Sequence, residues 1–447
     1  MSAEPRVLAD ADVDVRRRST GERSPRRAGV VPAAGHADLD PRALRADFPL
    51  LSSDRPGGRV VYLDSAASAQ HPRSVLDAMD RYYETTHANV HRGVYAIAEE
   101  ATRLYESARV AVGRFVGAPR PATEIVFTKN ATEAINLVAY SWARHELRAG
   151  DVVVLTEIEH HANLVPWLML AQDRGVELRY LRLGADYELD VSDVDRLFEG
   201  AKLVAVTCAS NVLGTVVDLA PVVAAAKRAG ALVLADGAQL VPHRPVDVAA
   251  LGVDFFGFTG HKMLGPTGIG VLWAREEILE AMPPFLGGGE MIRDVRLDGF
   301  TPNELPWKFE AGTPPIAEAV GLGAAVDYLS AVGLDRVHAH ESALTAYALD
   351  RLASEHGGDV TVFGPAADPV RRSGVISFAV RDVHPHDVAQ VLDTRGVCVR
   401  AGHHCAKPLM RCLGVPATTR ASLYLYNDEE DVDELVDALR DVRRLFG

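Results

Sequence analysis

From about residue 47 to residue 275, short apolar runs alternate with amphipathic stretches. The runs are Glu124–Thr128, Val152–Thr156, Leu178–Leu183, Leu203–Thr207 and Leu232–Ala235, followed by Val253–Phe258 and Ile269–Trp273. Between them, Ala134–Leu147 and Leu219–Ala229 carry apolar residues at helical spacing. Continuous apolar strands alternating with helices predict a largely parallel sheet covered on both faces. Arg179 and Arg182 interrupt Leu178–Leu183, which places that run nearer the sheet's edge. In such sheets ligands bind beyond the carboxyl ends of the strands, so the residues just after each run carry the chemistry.

A Gly/Pro-rich stretch from Met282 to Pro315 breaks the pattern. A helix over Ile316–Val332, a strand over Val375–Val380 and further helix–strand alternation then predict a smaller α+β domain. The division expected is a flexible tail over 1–40, a large domain over 41–315 and a small domain over 316–447. Folded sequence is expected to begin near Asp47-Phe48-Pro49-Leu50. The tail holds arginine clusters (Arg16–Arg18, Arg26, Arg27), but no apolar segment follows them as an export signal requires.

Composition narrows the class. The 447 residues are 48% hydrophobic and 24% charged, as expected of a globular chain. A net charge of −14 argues against nucleic acid as the main partner. No run of about eighteen apolar residues is present to span a membrane. Four cysteines, Cys208, Cys398, Cys405 and Cys412, are too few for a disulfide framework and fit a reducing cytoplasm.

Four segments following strands stand out. The run Leu232–Ala235 delivers Asp236 before Gly237-Ala238-Gln239; alone, such an aspartate is as often a cap or turn residue. Lys262 lies in Thr259-Gly260-His261-Lys262-Met263-Leu264-Gly265, a turn between two apolar runs. A lysine desolvated there titrates low enough to attack an aldehyde and form a Schiff base. An acid that keeps a pyridine nitrogen protonated is the other half of the pyridoxal 5'-phosphate (PLP) pattern, and Asp236 fits it. Thr128-Lys129-Asn130-Ala131-Thr132-Glu133 joins a strand to a helix. It reads either as a phosphate site or as an ordinary N-cap by Thr132. Finally, Glu157-Ile158-Glu159-His160-His161-Ala162-Asn163 presents paired histidines, which suit stacking on an aromatic cofactor better than a metal.

These segments, in this order, resemble the class V aminotransferase-like family of fold-type I PLP enzymes over nearly everything after residue 45. The resemblance implies a mostly parallel seven-stranded sheet in the large domain and a homodimer. It puts Lys262 in the Schiff base, Asp236 on the pyridine nitrogen, Gln239 on the phenolic oxygen and His160 over the ring. Thr132, Thr259 and His261 match phosphate ligands, with a backbone donor at Ala131, where many relatives have threonine. Thr313 matches the residue that completes the neighbouring subunit's phosphate site, and Asn211 one beside ring and substrate.

The reaction rests on Arg400-Ala401-Gly402-His403-His404-Cys405-Ala406-Lys407-Pro408. Cys398 and Cys412 are expected to be inert core. Cys405 reads as core, as a zinc ligand or as a mobile nucleophile; its Gly/Pro-bounded loop and cationic neighbours favour the last. The loop closely resembles that of Suf-type (group II) cysteine desulfurases, as do the blocks around His91, His160 and Arg420. Arg420 then clamps the substrate carboxylate, with Arg400, Asn211 and His91 as further substrate contacts. The activity implied converts L-cysteine to L-alanine with a persulfide on Cys405, supplying sulfur for iron–sulfur cluster assembly. Lys262 removes the Cα proton, assisted by His160, and a sulfur-acceptor protein of a Suf-type system receives the product. His386, before a predicted helix, is either a docking residue for that acceptor or an exposed flank. Selenocysteine lyase (L-selenocysteine as substrate), a class V aminotransferase or epimerase, and a non-catalytic assembly subunit are the rivals.

Overall fold

The computed structural model describes residues 39–52 and 58–446, of which 39–446 belong to one compact unit. The tail expected over residues 1–40 thus lies almost wholly outside the described residues. Helix begins earlier than expected: Asp40 accepts from the N–H groups of Arg42 and Ala43 and caps Pro41–Arg45.

Fifteen strands are present among the described residues, beginning with β1 (Val61–Tyr62), β2 (Ile125–Thr128), β3 (Val152–Thr156), β4 (Glu177–Leu181) and β5 (Ala201–Thr207). Next come β6 (Leu232–Asp236), β7 (Phe255–Thr259), β8 (Gly270–Ala274), β9 (Ile292–Arg296) and β10 (Gly299–Pro302). The last are β11 (Val360–Phe363), β12 (Val375–Val380), β13 (Val397–Cys398), β14 (Arg400–Gly402) and β15 (Thr418–Ser422).

Seven of them form one sheet in the order β2-β8-β7-β6-β5-β3-β4. Its pairings are parallel from β7 through β6, β5 and β3 to β4. β8 is antiparallel to both its neighbours, so the sheet is mixed at one end. β4 occupies the other edge, as its interrupting arginines indicate. It is shorter than expected, and Leu183 makes only an isolated bridge to Leu189.

Alternation along the strands divides the core. Val152, Val154, Val204, Val206 and Val233 face one hydrophobic cluster. Val153, Leu155, Leu203, Ala205 and Leu234 face another. Burying each such side chain contributes about 1.5–3 kcal/mol, which fixes the register on both faces. Helix Leu219–Ala229 is capped by Asp218 and stopped by left-handed Gly230. The helix expected over 134–147 starts at Ala131 and includes a π segment, Val138–Ala143.

A second, antiparallel sheet runs β11-β12-β15-β14 over its own core of Leu344, Ile376, Phe378, Val388, Leu439 and Val442. The segment from Val61 to Asp64 joins this region from the far end of the chain: β1 pairs with β13, and Asp64 bridges Ser422. The Gly/Pro-rich stretch folds into the β9–β10 hairpin. Among the described residues, no single helix is long and apolar enough to cross a membrane.

Candidate active site

The carboxyl ends of β2, β3, β5, β6 and β7 converge on a cavity of about 200 Å³. Ala131, Thr132, His160, Asn211, Asp236, Gln239, Thr259, His261, Lys262 and Arg400 all line it. Lys262 ends a 3-10 turn that follows β7 directly. Burial lowers its amine to about 8, against the opposing pull of Asp236 and with help from Arg420 and Arg400. Asp236 is buried at the end of β6, where Oδ1 accepts from the Ala238 N–H at 3.0 Å. Burial raises that carboxyl, while the bond and Lys262 oppose the rise.

His160 closes another wall. Its Nδ1 accepts from the Ala162 N–H at 3.1 Å, so the neutral ring carries its proton on Nε2. Burial, reinforced by Lys262, lowers it to about 3. Gln239 donates through Nε2 to the Ala66 carbonyl at 2.8 Å. The helix cap is Asn130 rather than Thr132: its side chain accepts from the Glu133 N–H at 3.0 Å, and Thr132 lines the cavity. One residue position places Asn130 outside the helix with extended backbone, which is where a cap must sit. Gly270 passes so close that a Cβ there would lie 2.4 Å from the Asn130 backbone.

Cys405 and Arg420 stand one contact behind the lining. Arg400 Nη2 lies 3.7 Å from Cys405 Sγ. Arg420, fully buried in β15, pairs with Asp64 at 2.8 Å and donates through Nη1 to the Asn211 carbonyl at 3.0 Å. Burial lowers its pKa despite Asp64. Asn211 also donates through Nδ2 to the His404 carbonyl at 2.6 Å, tying the cysteine loop to the large sheet. His404 and Cys405 both have left-handed backbone, with φ of 50° and 58°.

Two of the expected residues lie elsewhere. His91 packs against Trp307 and bonds Glu106 at 2.8 Å, outside the cavity. Thr313 lines a separate pocket with Tyr105, Lys129 and Glu310. The cysteines also need correction. Cys208 is buried and Cys398 half-buried, but Cys412, at the end of helix Lys407–Cys412, is exposed rather than core. His384 caps helix Pro385–Asp393, and His386 lies exposed in its first turn.

Sequence reasoning missed Asp64 and Glu159. Glu159 is buried and accepts from Thr156 Oγ1, Asn163 Nδ2 and the Thr207 N–H at 2.7–2.9 Å. It joins the ends of β3 and β5, and burial pushes it up to about 8. An acidic residue immediately before the two histidines was the available signal.

Comparison with known proteins agrees with this arrangement. The aminotransferase class-V family model matches residues 61–435. A probable cysteine desulfurase of Streptomyces coelicolor is 52% identical over 415 residues, covering 92% of this chain and 98% of that protein. The apo structure of a cysteine desulfurase from Thermococcus onnurineus superposes with a TM-score of 0.86 at 41% identity, covering 92% and 99% of the two chains. The cysteine desulfurase CsdA from Escherichia coli gives 0.84 at 41% identity, covering 92% and 100%. The chain belongs to the class-V aminotransferase family, as a homologue of its cysteine desulfurases.

Proposed function

We propose that the cavity beneath Lys262 binds PLP and L-cysteine, and that Cys405 takes the substrate sulfur in a Suf-type (group II) cysteine desulfurase. One observation carries the reading: Lys262, Asp236 and Arg400 line one cavity, and Arg400 reaches Cys405 Sγ. The residues present fit the cofactor. Lys262 has an amine that burial makes available for reaction. Asp236 is a buried carboxylate in the same cavity, and the buried Thr259 hydroxyl has no hydrogen-bond partner among the described residues. Such an orphaned donor calls for an acceptor, and a phosphate oxygen supplies one. Thr132, His261 and the Ala131 N–H would share that group.

Bound PLP supplies an electron-withdrawing ring that acidifies the substrate Cα. Lys262 in its neutral form removes the Cα proton, and Asp236 keeps a proton on the pyridine nitrogen. His160, neutral with Nε2–H and lining the cavity, would pack on the bound ring and exchange a proton with the substrate. Arg420 holds the substrate carboxylate, with Asn211 and Arg400 beside it. The Cys405 sulfur attacks the substrate sulfur as the Cβ–S bond breaks, and the bond's electrons stay with the carbon that becomes alanine's methyl group. L-cysteine and the Cys405 thiol thus give L-alanine and a persulfide, with no external oxidant.

Support for the Suf-type assignment comes from the loop: only residues 403–406 separate β14 from helix Lys407–Cys412. That an acceptor protein of a Suf-type assembly system removes the sulfur belongs to the same reading, with His386, beside a groove that includes Cys398, as its docking residue. Thr313 lies away from its own chain's Lys262 cavity, in keeping with a homodimer in which it serves the partner. Four cysteines in 447 residues, too few for a disulfide framework, fit a cytoplasmic enzyme.

The test is incubation with L-cysteine, measuring alanine and the mass of the Cys405 peptide. Cys405→Ala is expected to keep its cofactor absorbance and form no persulfide. Normal desulfuration by that variant would overturn the assignment. The ratio of kcat/KM for L-cysteine and L-selenocysteine decides between desulfurase and selenocysteine lyase.

A further inference from the structure

His161 has no part in the chemistry above and does not line the cavity, yet it touches the cysteine loop on both sides of the nucleophile. Its backbone N–H donates to the Cys405 carbonyl at 2.7 Å. Its ring Nε2 accepts from the Lys407 N–H at 3.1 Å. One residue therefore brackets position 406 and its neighbours. The His161 ring also lies 5.7 Å from the His403 ring, and His403 Nδ1 accepts from the Cys405 N–H at 3.2 Å.

The loop needs such outside support. His404 and Cys405 are consecutive non-glycine residues in left-handed backbone. That conformation persists only where surrounding contacts over-determine it. Three hydrogen bonds from the large sheet's loops do so: Asn211 to the His404 carbonyl, His161 to the Cys405 carbonyl, and Lys407 to His161. The Asn211 bond belongs to the site already described. The other two run through His161.

We propose that His161 is a positioning residue that holds Cys405 in the left-handed conformation beside Arg400, where its sulfur is aligned for transfer. This rests on the desulfurase reading above. The ring acts as an acceptor, so it must be neutral with its proton on Nδ1. Partial burial and the neighbouring His403 and Lys407 favour that form. Its adjacency to His160 gives the arrangement a purpose: consecutive residues fix the wall of the cavity and the loop that delivers the thiol.

The experiment compares the PLP-loaded wild type with His161→Ala and His161→Gln, the latter restoring an acceptor near the position of Nε2. Persulfide on Cys405 is followed by rapid quench and peptide mass, alongside kcat, KM for L-cysteine and the cofactor spectrum. His161→Ala is expected to slow persulfide formation about three- to tenfold, the loss of one neutral hydrogen bond. KM and the cofactor absorbance should stay as in the wild type, and His161→Gln should recover most of the rate. If the alanine variant does not fold, His161→Asn, too short to reach the Lys407 N–H, replaces it. Wild-type persulfide rates in the alanine or asparagine variant overturn the proposal. So does a glutamine variant as slow as alanine. A wild-type enzyme that desulfurates cysteine but carries no persulfide on Cys405 overturns instead the reading on which the proposal rests.

Discussion

Replacing Arg420 with alanine separates its ion pair with Asp64 from the substrate clamp proposed for the same guanidinium. Arg420 is fully buried, and among the described residues its one carboxylate partner is Asp64 at 2.8 Å. Removing one member of a buried pair costs about 3–5 kcal/mol, because the other charge is left unpaired. The Asp64 side chain is 24% exposed, so water relieves part of that penalty and about 3 kcal/mol is expected. Adding Asp64→Asn removes the stranded charge and should return most of the loss. The substrate clamp behaves differently. A hydrogen bond to a charged group is worth about 1.5–3 kcal/mol, or roughly 10- to 150-fold in kcat/KM. Neither Asp64→Asn nor any other neutralisation of Asp64 restores it. The assay pairs urea unfolding midpoints with steady-state alanine formation for Arg420→Ala and the double variant. The expected pattern is stability lost then regained, with kcat/KM low in both. Recovery of both quantities in the double variant would show Arg420 to be only a counter-ion for Asp64. An unchanged unfolding midpoint in Arg420→Ala would refute the ion-pair argument itself.

Two further predictions follow from the cavity's walls. The neutral amine of Lys262 is the form that reacts with an aldehyde, and burial lowers it to about 8. The rate of PLP uptake by the cofactor-free protein should therefore rise with pH and reach half its plateau near pH 8; a half-rise near the ordinary lysine value, read by stopped-flow absorbance, would contradict the desolvation argument. Gly270→Ala places a Cβ against the Asn130 backbone, beside Ala131 and Thr132. Overpacking there should cost about 1–3 kcal/mol and weaken PLP binding, checked by Tm and by cofactor titration.

Much of the site could be read along the chain because parallel sheets concentrate ligands just past strand ends. Asp236, His160, Thr132 and Lys262 each follow an apolar run, and all four reach one cavity. The continuous apolar runs of β3, β5 and β6, buried on both faces of the sheet, were equally legible, since each run lies within a few positions. Asp64 was not, because its meaning depends on a partner 356 residues away. The one local signal for Glu159, its place before the two histidines, does not reveal its role: the meeting of β3 with β5 makes it buried and triply bonded. Of the two readings open for Thr132, the cap falls to Asn130 because the helix begins at Ala131, which leaves Thr132 lining the cavity. Cys412 was misjudged because helix Lys407–Cys412 is too short to show a face.

The strand formed by Val61 and Tyr62 has a consequence for how the enzyme is born. Synthesis proceeds from the N-terminus at roughly 5–20 residues per second, so about 20–70 s pass between Asp64 and Arg420 leaving the peptidyl-transferase centre. Once Ala274 has been added, the large sheet's residues are complete, including Lys262 and Asp236, but β1 has no β13 to pair with and Asp64 has no Arg420 guanidinium. A nascent chain stalled before residue 397 could thus assemble the lysine wall without the arginine clamp or the thiol. The order of synthesis thus leaves the proposed site incomplete until the last fifty residues have been added.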